Sequence, residues 1–327
     1  MFLGVLVASL LVPFSEFLEK KFRFSRGIAS IVVVVLALLI LSSVLLLIGM
    51  QLTHLQDDWP AFQQQLLEGV SNIQEWVYSK FGIAKENQMN YLESAVSNSL
   101  KTGTDILGAA MSSLSTLLMF LVFTFLYSVF LLIYRGHLVR FVLMLFHSDH
   151  KDKVLDTIHA IQNMVKKYLV GLMLQMMIVT TLAFIAFLIL DIKYSFMLAL
   201  ITGVLNVLPY IGILIALVIT ILVTFASASG AKVLFVLIAF VVIHAIDGNI
   251  VMPKIVGSKV KVNSLAVIVG LILGEMAWGI SGMLLAIPTL AIMKIICDRV
   301  DSLRPWGYLL GEETYPEKIN IEEENKE

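Results

Sequence analysis

Residues 200–218 read LITGVLNVLPYIGILIALV, the middle of an apolar stretch running from Tyr194 to Phe225. The stretch is too long for one perpendicular crossing, because about 20 residues span the hydrocarbon core. Asn206, Pro209 and Gly212 are poor helix-interior residues, and they fall together near mid-depth. Irregular backbone survives there only when it is buried in protein or lines a watery cavity. Broken helices of this kind are where membrane transporters place solutes and ions.

The composition sets the class. The chain has 327 residues, 59% hydrophobic and 14% charged, against about 25% charged in average soluble domains. A soluble core cannot hide that much apolar surface, so the expectation is an all-α polytopic membrane protein with the lipid bilayer as its partner. The net charge of −1 gives no basic footprint, so no nucleic-acid partner is expected. Cys297 is the single cysteine, which excludes an intrachain disulfide and a multi-cysteine metal or cluster site. No cofactor and no metal are expected.

Apolar runs mark the segments. They are Met1–Phe14, Gly27–Leu52, Ala109–Tyr134, Tyr168–Leu190, the broken stretch 194–226, Lys232–Ile250, and a second over-long run, 264–296. The last is interrupted by Gly274, Gly279, Gly282 and Pro288. Basic clusters follow several of these runs: Lys20 to Arg26, Arg135 to Lys167, Lys254 to Lys261, and Lys294 to Arg304. The positive-inside rule puts all four in the cytoplasm. The acid-rich segment Thr53–Leu107 then faces outward.

The sides agree only if 194–226 starts and ends outside and 264–296 starts and ends inside. Each is therefore expected to be a broken hairpin, entering from opposite faces. This gives about seven to eight membrane segments, with the C-terminus cytoplasmic. The expected organisation is N-terminal membrane helices over 1–53, an extracytoplasmic amphipathic helical cap over 54–108, and a membrane helix over 109–134. Cytoplasmic linker helices follow over 135–167, a transport core over 168–300, and a polar tail over 301–327. In the cap, Trp59, Phe62, Leu66, Val70, Ile73, Trp76 and Val77 recur at helical spacing. The same bookkeeping leaves Met1 outside, so a further helix upstream of Met1 is expected.

Four motifs recur in order along the second half of the chain. Lys167-Tyr168-Leu169-Val170-Gly171 opens one span. Asn206-x-x-Pro209-Tyr210-Ile211-Gly212 breaks the next. Asp247-Gly248-Asn249-Ile250-Val251-Met252-Pro253-Lys254-Ile255-Val256-Gly257 and Trp278-Gly279-Ile280-Ser281-Gly282-Met283-Leu284-Leu285-Ala286-Ile287-Pro288 follow. In this order and spacing they resemble the autoinducer-2 exporter family of bacterial inner-membrane permeases. The resemblance covers essentially the whole chain. It implies homo-oligomeric assembly, as a pentamer, and secondary transport or export. Some members look like exporters of autoinducer-2 and others like sodium–proton antiporters. The chain departs from the family pattern at Val218, where a second proline is usual, and at Glu275, where a small residue is usual.

The candidate transport and coupling residues are Asp247, Glu275, His244, Asn206 and Gln175. Ionisable groups inside a membrane usually face a cavity or a partner. Asp247 either picks up and releases a proton, with His244 three residues earlier sharing it, or caps its helix before Gly248. Glu275 is either a cation or proton site within the bilayer or an exposed group at the hairpin's outer end. Asn206 either binds a hydroxylated solute or a sodium ion, or satisfies carbonyls freed by Pro209. Gln175 either lines the pathway or bonds another helix. Gly212, Gly279 and Gly282 permit close packing and tight turns. No nucleophile elbow, HExxH or Walker A sequence is present, so no catalytic residue is expected and any pumping must draw on a gradient. The expected function is a secondary transporter or exporter of a small solute. The alternatives are a sodium (cation)–proton antiporter and, in another class, a non-transporting membrane scaffold.

Overall fold

A computed structural model describes residues 2–60, 85–208, 211–227, 230–255 and 261–312, with single positions between 61 and 80. Every regular element among the described residues is helical. That follows from the composition, since a backbone in lipid must satisfy its own hydrogen bonds and a helix does so within one segment. Among the described residues, five helical stretches are long and apolar enough to cross a membrane: 26–57, 116–144, 148–189, 232–255 and 280–299. Three shorter apolar helices accompany them, over 195–205, 211–225 and 264–278.

The chain divides into two compact units. The first holds Met1–His137 and Leu169–Ile255. Here α1 (Phe2–Phe22) and α2 (Arg26–Asp57) pack with α3 (Lys85–Met144) around Leu11, Val33, Val34, Phe125 and Leu132. Across this bundle Arg135 donates to both carboxylate oxygens of Glu19 at 3.1 Å. The larger core is built by α2, α4 (Lys151–Ile189), α5 (Ser195–Leu205), α6 (Ile211–Ser227) and α7 (Gly230–Ile246). Phe187, Leu198, Ala216 and Val236 are fully buried there. Beyond α7 the helix widens into a π-turn, Asp247–Val251, and ends in the short α8, Met252–Ile255.

The second unit holds Leu138–Tyr168 and Val256–Glu327. Its α9 (Ser264–Trp278) and α10 (Ile280–Arg299) form a hairpin, followed by α11 (Arg304–Leu310). Asn263 caps α9 by accepting from the Ala266 N–H at 2.7 Å. Its own N–H donates to the Leu310 carbonyl at 3.0 Å, which ties the start of the hairpin to α11.

Both over-long apolar runs are helical hairpins, the first helix of one ending at Leu205 and the other broken at Gly279. Three boundaries differ from the sequence-based expectation. The apolar stub Met1–Phe14 belongs to a 21-residue helix, because Ser15–Lys21 carry no breaker. The polar stretch after Lys85 and the apolar span after Ala109 form one helix of 60 residues. The linker after Lys151 and the span after Tyr168 are likewise one helix of 39 residues. Polarity changes at 108 and 167, but neither place has a proline, and the lone Gly108 weakens a helix without ending it. Much of the expected cap helix, including Phe62, Leu66, Val70, Ile73, Trp76 and Val77, lies outside the described residues.

Candidate functional site

The site lies in the first unit, where α4, the end of α5 and the π-turn after α7 meet. Two glycines bring these elements into contact. A Cβ on Gly203 would lie 2.8 Å from the Met176 carbonyl and clash with Thr180 Oγ1, so α5 rests directly on the α4 backbone. A Cβ on Gly171 would lie 2.9 Å from the Ile255 carbonyl, so α8 also touches α4. Gln175 is one turn beyond Gly171 on the same face, and Asn206 is one turn beyond Gly203, as the C-cap of α5. The close approaches therefore deliver two amide side chains to one place.

Asp247 is the third member. It opens the π-turn, and its carboxylate is 4% exposed. Gln175 Nε2 donates to both Asp247 oxygens at 3.0 Å. Asn206 Nδ2 donates to Asp247 Oδ2 at 3.0 Å. Gln175 and Asn206 are themselves buried. A buried carboxylate without partners would cost several kcal/mol. Here three N–H bonds from two other helices offset that cost. Single-turn π-bulges inside α-helices are frequent at functional sites.

Of the residues singled out by the sequence, the fold joins Gln175, Asn206 and Asp247. The Asn206 amide is turned toward Asp247. His244 makes no hydrogen bond to Asp247: both ring nitrogens are buried without a partner among the described residues, and the ring packs against Phe240 at 5.4 Å. Glu275 belongs to the second unit and is exposed on α9. Gly248 and Asn249 are exposed, with Asn249 bonded to the Ala245 carbonyl at 2.8 Å. Pro253 is exposed in α8, and Pro288 is buried inside α10. Pro209, Tyr210 and Gly257 lie outside the described residues.

The hairpin glycines act through backbone contact. A Cβ on Gly212 would strike the Leu205 carbonyl, and one on Gly282 would strike the carbonyl of Gly274. Gly279 has φ +61 and ψ −141, a conformation close to glycine-only territory. The sequence reading did not single out Gly203 or Gly171 for a role. A signal was available, since small residues inside apolar runs mark close helix approach.

A helix break and a π-turn converging on a buried carboxylate are an arrangement of the kind found in membrane transport proteins. A family profile described as AI-2E family transporter matches residues 1–302, and the chain belongs to that family. Among its relatives is the putative transport protein YueF of Bacillus subtilis, 26% identical over 306 residues, 90% of this chain and 82% of that one. The putative transport protein YhhT of Escherichia coli is 21% identical over 287 residues, 88% and 80% of the two chains. The AI-2 transport protein TqsA of Escherichia coli is 29% identical over 123 residues, 38% of this chain and 36% of that one.

Proposed function

We propose that this protein is a secondary transporter that moves a small polar solute across the bacterial inner membrane, with Asp247 as the coupling residue. The observation that carries the reading is the buried Asp247 carboxylate held by Gln175 and Asn206. An ionised carboxylate only accepts hydrogen bonds, whereas a protonated one must also donate. Proton uptake would therefore force Asn206 or Gln175 to release its bond or to turn its amide end for end. Asn206 sits at the break of the α5–α6 hairpin, so the charge on Asp247 is coupled to the hairpin's position. Alternating access follows if the hairpin moves when the bond is released.

The name of TqsA supports an autoinducer-2-like solute, and two amides suit a small hydroxylated molecule. On this reading the transporter works as a homo-oligomer with its C-terminus in the cytoplasm. A sodium–proton antiporter is the second reading. It is favoured by the donor set, since either amide turned around puts an oxygen beside the carboxylate, as a hard cation requires.

The test is flux in proteoliposomes loaded with autoinducer-2 under an imposed proton or sodium gradient. Uphill movement that a protonophore or sodium ionophore collapses is expected. Flux that ignores every imposed gradient would contradict secondary transport.

A further inference from the structure

The turn between α1 and α2 has a chemistry that the transport site does not use. Lys20, Lys21, Arg23 and Arg26 crowd seven consecutive positions, and all four are exposed. The acids beside them, Glu16 and Glu19, are engaged by Arg135 at 3.8 and 3.1 Å. None of the four cations pairs with an acidic side chain among the described residues. Exposed phenylalanines sit alongside. Phe17 meets Phe22 edge-on at 6.4 Å, Phe22 lies 5.9 Å from Phe24, and Lys21 Nζ stands 5.2 Å over the Phe17 ring. The Arg26 guanidinium lies along α3, 3.5 Å from where a Cβ on Gly136 would stand.

The backbone adds a second observation. Arg23 ends α1 with φ 55, a left-handed position where glycine is the usual residue. An arginine there is strained, and it stands in sequence between Phe22 and Phe24.

We propose that this turn is a binding surface for the headgroups of anionic phospholipid. Exposed cations interleaved with exposed aromatics match a phosphate layer above an acyl layer. A free anion would leave the rings uncovered. A second copy of the chain would bring the same four cations face to face. The site lies away from Asp247 and does not depend on the transport reading.

The test uses the purified full chain in phosphatidylcholine nanodiscs, titrated with phosphatidylglycerol and followed by unfolding temperature. Phosphatidylglycerol should raise that temperature saturably, while extra phosphatidylcholine and inorganic phosphate should not. Arg23→Gln with Arg26→Gln should weaken the apparent affinity about 25-fold, roughly fivefold per cation. Arg23→Gly should raise the unfolding temperature in phosphatidylcholine by relieving strain, and still bind phosphatidylglycerol about fivefold more weakly. An unchanged phosphatidylglycerol response in both variants would overturn the proposal. So would an equal response to inorganic phosphate, or variants that lose self-association instead of the lipid response.

Discussion

At the scale of single residues, Asp247 and its two amides make a closed polar set inside an apolar core. Removing a donor leaves a buried carboxylate short of partners, which costs about 1–3 kcal/mol. Gln175→Leu and Asn206→Leu should each lower stability by roughly that amount, read as the unfolding midpoint in detergent. The double variant should be less destabilised than the sum, because both act on the same carboxylate. Asp247→Asn behaves differently, since an amide can pair with the two amides already there. It should unfold within about 1 kcal/mol of the parent chain. Each of the three residues is visible in the sequence as a polar group in an apolar run. Their meeting is not, because Gln175 and Asp247 are 72 positions apart and Asn206 and Asp247 are 41 apart. The π-turn was hidden too: the string Asp247-Gly248-Asn249 reads equally well as a helix end.

At the scale of elements, the hairpins depend on backbone contact at glycine. Gly282→Ala puts a methyl against the Gly274 carbonyl, which cannot move aside without parting α9 and α10. Gly279→Ala meets nothing within 4 Å and is opposed only by its backbone angle, at about 1–3 kcal/mol. Thermal unfolding of both should therefore show losses from different causes. The breaks themselves are legible in the sequence, because glycine, proline and asparagine mark them. The continuity of α3 and α4 is not, because charge and hydropathy change along those helices while nothing interrupts the backbone.

The end of α2 supplies a pH prediction at the same scale. Asp58 accepts from Lys193 Nζ at 2.5 Å and from the Tyr194 hydroxyl, which joins α2 to the turn before α5. These hydrogen bonds, Lys193 first, hold the Asp58 carboxyl below the usual carboxylate range. Its folded value is thus lower than its unfolded value of about 3.9. Its contribution is complete above the unfolded value and is lost as pH falls through the folded one. The effect is small, because the pair is open to solvent. Asp58→Asn should flatten the acid limb of unfolding temperature against pH and leave the neutral region nearly unchanged.

At the scale of the whole molecule, the all-α class and the two broken hairpins follow from apolar run length and from the position of the breakers. The assembly of the site follows from two glycines that let α5 and α8 rest on the α4 backbone. A transport reading then turns on one residue whose charge is tied to a hairpin break. The most direct measurement is gradient-driven solute flux in proteoliposomes carrying Asp247→Asn, beside the parent chain at matched protein content. The account predicts that the variant is folded and inserted but loses gradient-driven accumulation. Accumulation at the parent rate, still collapsed by the same ionophore, would contradict it.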